Sequence, residues 1–250
     1  AHFYPDPDLG CAAGTGGPRY QYRYAIGYHS LHDLLFPGTH HRTTFADPKK
    51  SKTGLTGLVK LFASDIMTPL PFVSIIIPAK NEEKLLRGCI SSLHQLDYPK
   101  DRIEIIIVDG LSTDNTAGVA REMGAKIISN PKQTVSPGRN IGFENAKGDL
   151  IAFTDADCIV DPHWLSNSIK YFENDPTVAC AGGPNLTPAD ESHFGKAVGF
   201  VFDQPIFAAG SIHARELDEV KEVSSIPGCN AIYRQSILAK VMPLDESMLI

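Results

Sequence analysis

From Phe72 onward the chain alternates short apolar runs with longer amphipathic stretches, and no other feature constrains its fold as tightly. Residues 73–77, 103–108, 125–129, 150–153 and 178–181 are strand-length and lack the regular polar alternation of a half-exposed strand. Strands of that kind are covered on both faces, the condition of a parallel sheet with helices packed above and below. The intervening stretches supply those helices. In residues 82–96, Leu85, Leu86, Cys89, Ile90 and Leu93 recur at helical spacing on one face. Residues 113–123, 137–146 and 162–172 read as further helices, with Gly124 and Gly148 after the first two of these. The expected fold class is α/β, with a mostly parallel central sheet flanked by helices. After Gly183 the rhythm changes: residues 192–207 read as a helix and 230–233 as one more short strand, with no internal repeat.

The rest of the chain bounds the answer. Residues 1–53 are rich in Gly, Pro, His and Tyr without periodicity and read as an irregular N-terminal extension. His29, His32, His40 and His41 lie in that tract with no matched Cys/His spacing, so they read as solvent-exposed or casually packed. Residues 54–71 hold a short amphipathic helix (Leu55, Leu58, Val59, Phe62, Ile66) and a linker broken at Thr68-Pro69-Leu70-Pro71. A formal charge of −6 argues against a nucleic-acid partner. Five cysteines, an odd number with no C-x-x-C pair, point to a reducing compartment. On that basis Asn185-Leu186-Thr187, although it fits the glycosylation pattern, reads as incidental, and Cys158 and Cys180 read as core residues. No run reaches the roughly 18 apolar residues of a membrane-spanning helix.

Chemistry is concentrated where the apolar runs end. Asp155-Ala156-Asp157 follows the run 150–153, and period-two geometry would aim both carboxylates to one side. Two hard oxygen ligands there can share a divalent cation that in turn holds a diphosphate. The first run ends in Pro78-Ala79-Lys80-Asn81-Glu82-Glu83, where a carboxylate can accept from ribose hydroxyls or Asn81 can cap the next helix. The second ends in Asp109-Gly110-Leu111-Ser112-Thr113-Asp114, where Asp109, aimed up from the strand end, could accept from a base edge and Ser112 or Thr113 is available as a cap. It contains no G-x-G-x-x-G loop, which weakens a hydride-transfer reading. Arg139, in Ser136-Pro137-Gly138-Arg139-Asn140-Ile141-Gly142, offers a fork for a phosphate or a carboxylate, or a surface salt bridge.

Taken together, Lys80-Asn81-Glu82-Glu83, Asp109-Gly110-x-Ser112-x-Asp114, Arg139-Asn140-x-Gly142 and Asp155-x-Asp157 resemble the donor-binding half of a family 2 glycosyltransferase. Gly182-Gly183 and Gly228-Cys229-Asn230-Ala231-Ile232-Tyr233-Arg234 match that family's acceptor-side glycines and its G-x-N segment. The resemblance runs from about Phe72 to the end. It implies a GT-A-type, Rossmann-like fold divided into a nucleotide-sugar-binding half, residues 72–183, and the start of an acceptor-binding half, residues 184–250. It also implies roles. Asp109 would read the base, while Glu82 and the Pro78-Ala79 backbone would hold the nucleoside. Asp155 would sit near the ribose and Arg139, and Asp157 would bind Mg²⁺ or Mn²⁺ bridging the diphosphate. Gly228 and Asn230 would line the sugar pocket, which Cys229, standing where a second glycine is usual, would narrow or reshape.

The implied reaction moves a sugar from a UDP- or GDP-sugar to a hydroxyl of a polysaccharide, lipid-linked or protein acceptor, with inversion. An inverting reaction needs a carboxylate base opposite the leaving group. Leu244-Asp245-Glu246 matches the phrase preceding the family's Glu-Asp base pair, so the base is expected beyond Ile250 and no catalytic residue is assigned here. Two alternatives remain: a sugar-phosphate nucleotidyltransferase, against which the absence of a Gly-rich basic loop after the first strand counts, and a non-catalytic nucleotide-binding fragment. A cytoplasmic domain is expected, with any membrane attachment outside these 250 residues.

Overall fold

The computed structural model describes residues 25–27, 69–187, 191–203 and 226–247. The helix expected at 55–66, the N-terminal histidines, Cys11 and the end of the helix expected at 192–207 lie outside them. Among the described residues, seven strands form one sheet: β1 (Ala25–Gly27), β2 (Val73–Ala79), β3 (Ile103–Asp109), β4 (Lys126–Ser129), β5 (Leu150–Phe153), β6 (Cys180–Gly182) and β7 (Ala231–Arg234). Their spatial order is β1-β6-β7-β5-β2-β3-β4. Strands β2 to β5 are mutually parallel, β7 runs against both β5 and β6, and β1 runs against β6. Five strands, β2 to β6, therefore share one direction, and the sheet is mostly parallel.

The unalternated apolar runs of β2, β5 and β6 and the second half of β3 are buried on both faces, while β4, at the sheet edge, is only half-buried. Ile75, Ile77 and Ile107 point to one side, where they meet Leu86, Ile90, Val119 and Leu165. Ile76, Ile106 and Ile151 point to the other, against Ile141, Phe143 and Leu238. The first layer comes from α1 (Glu83–His94), α2 (Thr116–Glu122) and α4 (Trp164–Asn174), and the second from α3 (Val135–Glu144) and α6 (Gln235–Leu238). Helix α5 (His193–Asp203) follows β6 in the chain. Full burial of each isoleucine contributes roughly 1.5–3 kcal/mol. Gly142 lets α3 lie close on β2: a Cβ there would stand 2.3 Å from Ile76 Cγ2.

Two features depart from the sequence reading. The tract read as irregular contributes β1, a three-residue edge strand on β6. Strand β7 is not appended to the sheet but inserted between β5 and β6, so residues expected in two halves share one hydrogen-bonded sheet.

Candidate functional site

The parallel strands set the site at their C-terminal edge. Register aligns Ala79 at the end of β2 with Asp109 at the end of β3, and Asp109 with Ser129 at the end of β4. The loops leaving these three strands each hold a non-glycine residue in the left-handed region: Asn81 (φ 58°), Leu111 (φ 57°) and Gln133 (φ 61°). Such conformations cost of order 1–3 kcal/mol each and persist where surrounding contacts over-determine them.

Those contacts are visible for the first two loops. The Asn81 N–H donates to Ser112 Oγ at 2.9 Å, and the Thr113 N–H donates to Asn81 Oδ1 at 2.8 Å. At the helix starts, the Glu82 and Glu83 N–H groups donate to Thr116 Oγ1 (2.8 Å) and Asp114 Oδ2 (3.1 Å), while the Asn115 N–H donates to Glu83 Oε2 (3.2 Å). Helices α1 and α2 thus satisfy each other's orphan donors. The capping expected of Asn81, Ser112 and Thr113 within their own helices is replaced by capping across the two loops. Asp109 lies beneath this lattice, with both carboxylate oxygens 3.3 Å from the Ser112 N–H.

A cavity of about 680 Å³ opens beside it. Pro78, Ala79, Lys80 and Glu82 form one wall and residues 133–136 at the start of α3 another; Arg139, Asp155, Asp157, Gly228 and Asp245 complete it. Strand β5 ends at Phe153, and Asp155 and Asp157 lie in the following turn rather than in extended chain. Period-two geometry therefore does not orient the pair; the turn does, and both still face the cavity. Arg139 ties this turn to the far side. Its Nη2 lies 3.3 Å from Asp155 Oδ1 and 3.2 Å from the Gly228 carbonyl oxygen, and its guanidinium stacks 5.4 Å from the Phe153 ring centre. Its Nε–H is buried without a partner. Gly228 has to be small here, because a Cβ would stand 2.8 Å from Arg139 Nη1.

Asn230 does not line the cavity. Its Oδ1 accepts from Trp164 Nε1 at 2.8 Å and its Nδ2 donates to the Pro184 carbonyl at 3.0 Å, so the side chain clamps α4 and the segment after β6 to the start of β7. Both ends of the amide are engaged, which is why it does not face the cavity as the sequence reading expects. Cys158, read as core, is half-buried beside Asp157, with its Sγ 3.8 Å from Asp157 Oδ1. Cys229 Sγ accepts from Asn185 Nδ2 at 2.6 Å. Its neighbour Cys158, above all, holds Cys229 below the usual thiol range, against burial and Asp155. Cys229 and burial push Cys158 up. Cys180 is buried as expected, and burial raises its thiol to about 12.

The C-terminal segment crosses the other end of the cavity. Asn140, nearly buried in α3, accepts from the Leu244 N–H at 2.7 Å and donates to the Leu244 carbonyl and Glu246 Oε1, both at 3.1 Å. Glu246 also pairs with Lys132, and these hydrogen bonds hold its carboxyl below the usual range.

The structure thus brings Pro78, Ala79, Glu82, Arg139, Asp155, Asp157 and Gly228 to one cavity, sets Asp109 behind its wall and uses Asn230 as a clamp. Trp164 and the holding role of Asn140 escaped the sequence reading. The single tryptophan was the available signal for the first. Residues 74–242, more than half of the chain, match the glycosyl transferase family 2. The chain belongs to that family. Glycosyltransferase AglE of Haloferax volcanii is 34% identical over 107 residues, covering 40% of this chain and 35% of that protein. Methanococcus voltae dolichyl N-acetyl-alpha-D-glucosaminyl phosphate 3-beta-D-2,3-diacetamido-2,3-dideoxy-beta-D-glucuronosyltransferase is 36% identical over 123 residues, covering 45% of this chain and 38% of that one. The matches thus span little more than a third of these relatives. Among solved structures, the Pyrobaculum calidifontis mannosyltransferase PcManGT, in complex with GDP-Man and Mn²⁺, superposes with a TM-score of 0.53 at 20% identity, covering 72% of this chain and 49% of that one. The fold is accordingly the GT-A fold. Among the described residues no helix is long and apolar enough to cross a membrane.

Proposed function

We propose that this chain carries the donor site of an enzyme that moves a sugar from a nucleoside-diphosphate donor to a hydroxyl acceptor, with inversion and with a divalent cation. The observation that carries this reading is the convergence of Asp155, Asp157 and Arg139 on one cavity at the C-terminal edge of the parallel strands. The nucleoside is proposed to lie against Pro78, Ala79 and Glu82, with Asp109 toward the base and Asp155 toward the ribose, while Gly228 and the Asn230 segment shape the sugar end.

The residues present fit a hard cation. Among the described residues no cluster of three His, Cys, Asp or Glu side chains could hold a metal alone. A site offering chiefly the Asp157 carboxylate suits Mg²⁺ or Mn²⁺, which keep waters and take the remaining ligands from substrate phosphates. When bound there, such an ion would neutralise the charge that develops on the departing diphosphate. The chain's own part is to orient the donor. Arg139 holds Asp155 and Gly228 in fixed relation, and the cross-capped loops keep the nucleoside wall rigid. Asp245 faces the cavity, and the base that deprotonates the acceptor is proposed to follow Ile250.

The GDP-Man and Mn²⁺ bound to the Pyrobaculum enzyme support a nucleotide-sugar donor and a metal. Among polysaccharide, lipid-linked and protein acceptors, the Methanococcus relative, whose acceptor is a dolichyl phosphate-linked sugar, supports the lipid-linked class. Sugar nucleotides are made in the cytosol, which favours a cytoplasmic domain at a membrane face.

Calorimetric titration with UDP and GDP, with and without Mn²⁺, on the chain and on Asp157→Asn tests the reading. Binding of one nucleotide that requires metal and is lost in the variant is the expected result. A folded chain that binds neither nucleotide would overturn the donor-site assignment.

A further inference from the structure

The start of α3 forms one wall of the cavity, and it presents donors that the fold leaves unused. Val135 and Ser136 are its first two residues, and their N–H groups have no intrahelical acceptor and no other acceptor among the described residues. Thr134, before them, makes no side-chain cap, and Pro137, after them, has no N–H. The first intrahelical bond therefore runs from the Gly138 N–H to the Thr134 carbonyl, at 3.1 Å. Ser136 is only 8% exposed and lines the cavity, and its hydroxyl has no partner among the described residues. A buried hydroxyl without a bond is costly, and one that lines a cavity is accounted for by an acceptor that arrives with a ligand. The position of these donors is fixed. Asn130, 2% exposed, donates from Nδ2 to the Thr134 carbonyl at 2.9 Å and accepts from the Lys132 N–H at 3.1 Å, which sets the loop entering α3. Its own N–H donates to the Asp109 carbonyl at 2.7 Å, joining that loop to the end of β3. On its other side α3 rests on the nucleoside wall, since a Cβ on Gly138 would stand 3.1 Å from Pro78 Cβ.

We infer that the start of α3 reads the donor's base, with the Ser136 hydroxyl and the free N–H groups beside it donating to a carbonyl oxygen of that base. The inference rests on the donor-site reading, in which Asp109 lies toward the base. Backbone N–H groups only donate, so they select an acceptor; an ionised carboxylate only accepts, so Asp109 selects a ring N–H. The base that satisfies both carries a carbonyl next to a ring N–H, as uracil and guanine do. Cytosine and adenine carry an amino group next to an unprotonated ring nitrogen, which sets donor against donor and acceptor against acceptor. A site with fixed polar groups rejects such a mismatch more strongly than an apolar pocket does, because its own groups are left unpaired. Ser136 is thus a specificity-determining residue, chosen by its burial and its missing partner.

The test titrates the chain calorimetrically with UDP, CDP, GDP and ADP in the presence of Mn²⁺ and repeats the series on Ser136→Ala. The chain should prefer UDP over CDP, or GDP over ADP, by about tenfold or more. In the variant, affinity for the preferred nucleotide should fall about two- to tenfold, the contribution of one hydrogen bond, and affinity for its amino counterpart should fall less. The urea midpoint of the variant should hold or rise, because alanine removes a buried hydroxyl that has no partner. A lowered midpoint would mark the hydroxyl as structural and overturn its role. An equal loss for all four nucleotides would put phosphate, not base, at the start of α3 and overturn the inference. So would a variant that binds all four as the parent does, or a parent that does not distinguish carbonyl from amino bases. A folded parent that binds none of the four would instead overturn the donor-site reading, and the inference with it.

Discussion

Replacing Arg139 by methionine removes the fork and leaves an apolar stem of similar length, and the structure lets its cost be built up group by group. The ion pair is weak: Asp155 remains 41% exposed, so its loss costs under about 1 kcal/mol. The bond to the Gly228 carbonyl is charge-assisted but long at 3.2 Å, and about 1.5 kcal/mol, the low end for such bonds, is appropriate. Stacking on Phe153 adds roughly 0.5–1 kcal/mol. Against these stands the buried, unpartnered Nε–H, whose removal returns about 1 kcal/mol. The balance is a destabilisation of about 2 kcal/mol in urea unfolding. Metal-dependent nucleotide binding should weaken by about tenfold or more, because the Asp155 turn and Gly228 lose their common anchor. Arg139→Lys should recover part of the binding loss and part of the stability, since one nitrogen serves both partners, but the shorter stem and the loss of the planar group stacked on Phe153 leave the recovery incomplete. A methionine variant within about 0.5 kcal/mol of the parent, with unchanged nucleotide affinity, would refute the claim that Arg139 organises the site.

Asn230→Ala leaves the buried Trp164 indole N–H without an acceptor, which should cost about 1–3 kcal/mol. Trp164 is the single tryptophan, so its emission reports the change directly; an unaltered spectrum and midpoint would argue against the clamp. His163 titrates above its usual value because Asp97 Oδ2 accepts from Nδ1 at 2.5 Å. Its stabilising contribution is therefore full below the ordinary histidine value of about 6.5 and is lost as pH rises through the raised folded value. In Asp97→Asn, NMR titration should find the His163 midpoint lowered; equal midpoints in the two proteins would exclude the pairing in solution.

The strands and their shared direction were legible because Ile75–Ile77 and Ile106–Val108 are buried on both faces, and that burial is written directly into composition. The edge on which the site lies was legible too, since parallel strands carry their polar residues out at one end. What escaped the reading depends on contacts distant in sequence. Nothing local distinguishes an Asn230 that faces a cavity from one whose amide is claimed by Trp164 and Pro184. Likewise Asn81 has the composition of an ordinary cap, and only its pairing with Ser112 and Thr113 converts it into a cross-loop strut. The pair Asp155 and Asp157 faces the cavity for a reason other than the period-two geometry expected of it: the strand stops two residues before the first carboxylate, and a turn does the orienting.

Strand β7 occupies the gap between β5 and β6, with Ala231 opposite both Phe153 and Gly182. The residues of the proposed nucleotide site and the segment read as the acceptor side are therefore not modules that can be exchanged. A chain severed after β6 would leave two ladders with no middle strand, exposing the edges of β5 and β6 and freeing the Gly228 carbonyl from Arg139. Grafting a different acceptor segment onto this scaffold would require a replacement strand that reproduces the register of Ala231–Arg234 on both neighbours at once. Variation in acceptor preference is then easiest to accommodate in segments flanking β7, where no ladder on either side has to be rebuilt.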